Sequence, residues 1–282
     1  MKLSRIHIVA LLAAIVFSSG GCVLINRVRA KNALNEGARA YKDGRFPDAE
    51  AKFREAHELD PTQKNAPLFI ARAVQQQYKP GVNTPENIAI GERAIQAYQD
   101  ILTADPQNED AYKAIVFLYG QMKRDEKVNE LLMQRASSGP NPEAKAQALI
   151  ILASKQWKCA NDITERKENQ TKEDKGDKIL IHYKKPADQA DFDKIQQCVN
   201  EGMKLAEQAV SLSPQSASAW TYKANLLREK AKLAEMSGDA NAKADLDKQY
   251  EAALAEQKRL NAEEAKKKEA EAPPADAEQP KS

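Results

Sequence analysis

Six residues of this chain could carry thiol or imidazole chemistry: Cys22, Cys159, Cys198, His7, His57 and His182. Thiolates and imidazoles hold soft metal ions, act as nucleophiles and bases, or close disulfides. His7 falls in an apolar leader. His57 stands among charged neighbours in FREAHELDP and is expected on a solvated surface. Cys159, His182 and Cys198 form the only candidate zinc set. It lacks a fourth ligand and the short spacing of zinc sites. The chain shows no Ser/His/Asp signature, phosphate loop or Gly-rich nucleotide fingerprint. Its carboxylates are mixed evenly with lysines, as on solvated helix faces. No catalytic residue, metal or cofactor is therefore expected.

Composition limits the partners. The 282 residues carry 43 basic and 41 acidic side chains, a net charge of +2. That balance gives no reason to expect nucleic acid, whose binders usually present a basic face. Abundant Ala, Glu, Lys and Gln, with 6% aromatics, favour helices.

Cys22 closes an export-type segment. Lys2 and Arg5 precede the apolar run Ile6–Phe17, followed by Ser-Ser-Gly-Gly-Cys. SGGC resembles the lipobox of bacterial lipoproteins. Cleavage before Cys22 would leave a lipidated cysteine at the mature N-terminus. Ser19 departs from that pattern, which usually has Leu there. Alternatively, Ile6 to Ile25 is one uncleaved membrane helix of about the length a bilayer needs. Arg27, Arg29 and Lys31 make its far flank as basic as the near one, so orientation is not read from charge. Both readings place residues 1–25 at a bacterial membrane, with the body on the extracytoplasmic or periplasmic side.

The body repeats. FREAHELDP closes at Pro61, YQDILTADP at Pro106, LMQRASSGP at Pro140 and AEQAVSLSP at Pro214. Each reads as the last turns of a helix before a proline that cannot continue it. Pro106 and Pro140 are 34 residues apart, the tetratricopeptide period. Gly37, Tyr41, Gly44, Phe46, Ala49, Phe53, Ala56 and Pro61 occupy the pattern positions of one such unit. The chain resembles the tetratricopeptide repeat family on these residues, and looks like a membrane-anchored lipoprotein of that family. The resemblance implies an all-α superhelix of about five helix pairs over residues 30–260. Longer spacings place insertions near residues 78–88 and 158–192. Trp220 and Ala224 open the fifth pair, with Trp220 expected to pack. Residues 261–282 read as a helical extension and then a disordered tail after Ala272.

The family pattern also assigns roles. Cys159 and Cys198 fall near one helix-helix turn once the inserted residues are set aside. A disulfide there would close the insertion, in keeping with oxidising surroundings outside the cytoplasm; two buried free thiols are the alternative. First helices line the concave face in this family. That places Tyr41, Arg72, Gln75, Lys113, Phe117, Gln147, Ile151, Asn225 and Arg228 as candidate contacts to a partner peptide or protein. Phe117 stands where a carboxylate-clamp asparagine would be needed, so recognition of acidic chaperone tails is not expected. The expected function is a non-enzymatic binding scaffold. The alternative is an enzyme or enzyme accessory with a site around His182, Tyr183 and Lys184 in the insertion.

Overall fold

The structure, a computed structural model, describes residues 3–271, with side chains described for 23–270. The described residues are all-α but for one hairpin, and they divide after Val128 into two compact units. The helices are α1 (Leu3–Lys42), α2 (Phe46–Leu59), α3 (Ala66–Gln77), α4 (Pro85–Ala104), α5 (Glu109–Gln121), α6 (Asp125–Ser138), α7 (Pro142–Thr164), α8 (Gln189–Leu212), α9 (Ala217–Met236) and α10 (Ala240–Glu271). Between α7 and α8 lie β1 (Gln170–Asp174) and β2 (Ile179–Tyr183), an antiparallel pair.

The prolines act as the repeat reading requires. A residue before proline is driven from helical to extended backbone. Asp60, Asp105 and Ser213 precede Pro61, Pro106 and Pro214. They end α2, α4 and α8 in nearly one conformation, with φ/ψ of −145°/88°, −137°/88° and −140°/74°. α5, α7 and α9 start on side-chain caps, whereas Asn65 before α3 makes none. Asn108, Asn141 and Ser216 accept from the backbone N–H of Ala111, Ala144 and Ala219. Each supplies an acceptor to an otherwise orphaned amide.

Within three pairs the turn is the same device. The N–H of Gly44, Lys123 and Gly238 donates three residues back, to Tyr41, Gly120 and Glu235. The next N–H donates five residues back, to Ala40, Tyr119 and Ala234. All three turn residues have positive φ, 76°, 56° and 73°. Lys123 pays the steric cost that glycine avoids. Lys123→Gly is therefore expected to raise unfolding free energy by about 1 kcal/mol. Urea denaturation measures it, and a loss of stability would refute the reading of this turn.

The other two pairs carry the insertions at this point. In the second pair the loop is residues 78–84, shorter than the 78–88 expected, because α4 begins at Pro85. Asn87 fastens it: its Oδ1 accepts from the Lys79 N–H, and its Nδ2 donates to the carbonyls of Lys79 and Val82. In the fourth pair the helices invade the expected 158–192 insertion from both ends. α7 runs to Thr164 and α8 starts at Gln189, leaving residues 165–188 outside them.

Small residues set the helix separations. A Cβ on Gly37 would stand 2.6 Å from the Phe53 ring, so α1 and α2 cross there in contact. Ala49, Ala56, Ala66, Ala71 and Ala94 are buried around Phe53, Val74, Ile95 and Tyr98 in the first unit. In the second, Ala153, Ala160, Val199, Ala206, Ala224 and Leu227 share one core between α7, α8 and α9. α10 extends past Lys258 as the sequence suggests, to Glu271. The tail beyond it lies outside the described residues. So does the side chain of Cys22, although the backbone of α1 is helical from Leu3.

Candidate functional site

In the first unit, the candidate contacts meet on α1, α3 and α5. Arg72 on α3 donates to Asp110 on α5 at 2.8 Å. Lys113 and Phe117 follow Asp110 along α5 at helical spacing, so the three share a side. Both are exposed, and Phe117 retains 52% of its accessible surface. Gln75 is already engaged, accepting from the Tyr98 hydroxyl at 2.6 Å. Burial pushes the Tyr98 phenol well above its usual range. Tyr41 packs edge-on against Phe46, with ring centroids 5.3 Å apart. Lys113 and Phe117 therefore present the free chemistry, while Arg72, Gln75 and Tyr41 are engaged with Asp110, Tyr98 and Phe46.

In the second unit, Gln147 and Ile151 are exposed one turn apart on α7. Asn225 is half-buried on α9. Arg228 is exposed on α9. It lies over the Tyr250 ring of α10 and donates to that hydroxyl at 3.3 Å, in a hollow also walled by Ile181 and Tyr183. The inserted hairpin has thus occupied its surroundings. Trp220 behaves as a packing residue, half-buried, with its indole N–H donating to the Pro214 carbonyl at 2.9 Å.

The insertion is docked by a polar network that local sequence does not advertise. Glu229, 1% exposed, accepts from the Thr164 hydroxyl at 2.8 Å and the Lys232 ammonium at 2.7 Å. Lys232 also donates to Glu165 at 2.6 Å and lies 4.6 Å from the Tyr183 ring centre. Burial works against the Lys232 charge, but Glu229 and Glu165 outweigh it and hold the ammonium above the ordinary lysine value. Tyr183 donates its hydroxyl to Glu165. Burial pushes Glu165 up, yet hydrogen bonds from Lys232 and Tyr183 bring it below the usual carboxylate value.

The residues of the alternative enzyme reading do not converge. Neighbours on a strand face opposite ways. His182 points its ring nitrogens to Glu173 and Glu235, at 3.1 and 3.0 Å, and this pair of carboxylates raises its pKa. Tyr183 faces Lys232 and Glu165 on the other side, and Lys184 is exposed. The zinc set does not form either. Cys159 and Cys198 are joined to each other, with Cα atoms 6.1 Å apart, and among the described residues no metal-ligating cluster exists.

Two features were missed. His57 is half-buried instead of solvated, and its Nδ1 is enclosed without a hydrogen-bond partner. It borders a cleft of about 850 Å³ with an apolar floor of Leu68, Ile70 and Ile101. Glu50, 9% exposed on α2, gathers Arg54, Arg93 and Gln77. Burial raises its pKa, but those three donors bring it below the usual value. Both positions look like ordinary surface residues in the sequence, because Gln77 and Arg93 on Glu50, and the cleft beside His57, come from other helices.

No family model matches the chain, and no curated protein matches it. Several solved structures resemble it. MamA from Desulfovibrio magneticus RS-1 is 13% identical over 78% of this chain and 96% of its own, with a TM-score of 0.36. PilF of Pseudomonas aeruginosa is 14% identical over 84% and 99%, with a TM-score of 0.37. YrrB, described as a TPR protein with an unusual peptide-binding site, is 13% identical over 80% and 90%, with a TM-score of 0.34. All three TM-scores lie below 0.5, so the fold is judged on its own helix pairs. With the shared turn geometry, the pre-proline helix ends and the small residues at crossings, the chain folds as tetratricopeptide-type helix pairs.

Proposed function

We propose that this chain is a non-enzymatic protein-binding scaffold held at a bacterial envelope membrane, gripping a partner peptide or protein on its first-helix surfaces. The exposed Phe117 carries the reading. About half of its surface is left in water, and aromatics and Arg are enriched where interfaces concentrate their energy. Lys113 and the Arg72–Asp110 pair surround it with polar groups that can fix a backbone.

The N-terminus supports the membrane half of the proposal. Val23, Leu24, Ile25 and Val28 on α1 are 52–68% exposed. Such an aliphatic cluster favours contact with lipid or protein over water. Among the described residues no helix is long and apolar enough to cross a membrane, and the run Ile6–Phe17 lies outside the described side chains. Lipidation at Cys22, after removal of residues 1–21, is the anchor we favour. Mass spectrometry of the mature N-terminus distinguishes it from an uncleaved helix, which would retain Met1.

The functional test uses a partner recovered by affinity purification from native membranes. Phe117→Ala is expected to weaken that partner at least about tenfold, with Glu58→Ala, on the exposed side of α2, as the control. Circular dichroism must show the variant folded. A folded variant with unchanged affinity would remove the first-helix surface as the binding element.

A further inference from the structure

The two edges of the inserted hairpin are built differently. The strand register pairs Gln170 with Tyr183 through to Asp174 with Ile179. Lys184 N–H donates to the Asn169 carbonyl, and Lys175 N–H to the Lys178 carbonyl. Antiparallel pairs alternate between bonded and non-bonded. Thr171 with His182 and Glu173 with Leu180 are therefore the bonded pairs. The amides of Ile179, Ile181 and Tyr183 point away from β1. On the β1 side, the outward edge runs through Lys172 and Asp174, the charged kind of edge that resists further pairing. On the β2 side, Ile179, Leu180 and Ile181 are 64%, 39% and 43% exposed. Only Tyr183 has its outward N–H covered, by Glu235 at 3.3 Å.

That open edge borders a furrow. One hollow of about 460 Å³ lies between Leu180, Ile181 and the α9–α10 turn at Gly238. A second of about 420 Å³ adjoins it at Ile181 and Lys243 and continues to Tyr183, Arg228 and Tyr250. Most charges in the lining are paired: Lys243 with Asp247, Glu235 with His182, Lys232 with Glu165 and Glu229. Arg228 has the Tyr250 ring and hydroxyl at hand, and feels Glu165 only as a longer-range charge without an ion-pair contact. Lys178 and Lys184 flank β2 with no carboxylate in reach among the described residues. Glu251 is the opposing charge in the lining. The balance is basic at both ends of an apolar edge.

We infer that β2 is a strand-addition site: an extended segment of a partner protein, with branched apolar residues in its middle and acidic residues at its ends, pairs with the Ile179–Ile181 edge. Main-chain hydrogen bonds supply affinity in this mode, and alternate side chains supply specificity. An acid-ended strand meets Lys178, Lys184 and Arg228 favourably. This site is independent of the Phe117 surface and can hold or fail without it.

The test uses the full chain and a fluorescent heptapeptide, Glu-Val-Thr-Val-Thr-Val-Glu. Hydrogen exchange of the Ile179 and Ile181 amides should slow at least about tenfold when the peptide binds, while Leu180 and His182, already bonded to β1, should not change. Ile181→Pro removes an outward N–H and leaves the β1 ladder complete. It should weaken the peptide at least about tenfold, and Phe117→Ala should leave it unaffected. Should Ile181→Pro disturb the hairpin, a peptide N-methylated at alternate amides serves instead and is expected not to bind. Equal affinity for that methylated peptide, or no slowing of either amide by the plain one, overturns the inference. Slowing of the same amides by raising protein concentration alone would also overturn it, replacing the partner with a second copy.

Discussion

Glu229→Ala is expected to destabilise the second unit by about 3 kcal/mol or more. The reason lies in what the carboxylate leaves behind. Glu229 and Lys232 have side chains 1% and 5% exposed, 2.7 Å apart. Removing the acid strands an ammonium with only Glu165, itself 42% exposed, as a counter-charge. The Thr164 hydroxyl loses its closer acceptor as well, keeping only the Asn161 carbonyl at 3.4 Å. An uncompensated buried charge costs far more than an intact pair contributes. The paired replacement Glu229→Met with Lys232→Met should therefore lie within about 1 kcal/mol of the original protein, since both desolvation penalties vanish. Urea denaturation of the two variants separates these cases. A cost under about 1 kcal/mol for Glu229→Ala would show that water reaches Lys232 and that the network is not sealed.

This pair also shows where reading the sequence stops. In LLREKAKLAEM, Glu229 and Lys232 stand three residues apart, the spacing of any exposed helical ion pair. What buries them is Thr164, Glu165 and Tyr183, some 50 to 70 positions earlier. No local periodicity carries that contact. The helix pairs were legible because their causes are local: Pro61, Pro106 and Pro214 each reset the residue before them, and Gly44 and Gly238 permit the turn. KILIHYK reads as a strand from its branched residues. Its partner strand QTKED did not, since it is polar throughout and is held only by pairing with β2. The candidate contacts divide on the same principle. Phe117 is exposed on α5 and Arg228 on α9, both first helices of their pairs. Around Arg228 the inserted hairpin adds Ile181 and Tyr183, which no local pattern announces.

Reduction of the Cys159–Cys198 bond should lower the stability of the second unit by up to about 4 kcal/mol. The two residues are 39 positions apart, so the bond closes a loop that contains the whole hairpin. Opening it returns to the unfolded chain the freedom that the closed loop denied. The native side loses little, since α7 and α8 remain packed through Ala153, Ile195, Val199 and Ala206. Folding should therefore persist in reductant with a lower urea midpoint. The first unit should keep its own midpoint, because neither cysteine belongs to it and repeat units are stabilised mainly by their neighbours. Hydrogen exchange resolved by segment reads the two units separately. The same bond bears on location. In a reducing compartment both thiols would stay free, while an exported body would keep them paired. Protein alkylated directly in cells, before any reductant, should show neither cysteine modified and one linked peptide pair. Full alkylation of both would reject the exported state together with the disulfide. A double Cys→Ser variant as stable as the original would leave the bond in place but remove its energetic role.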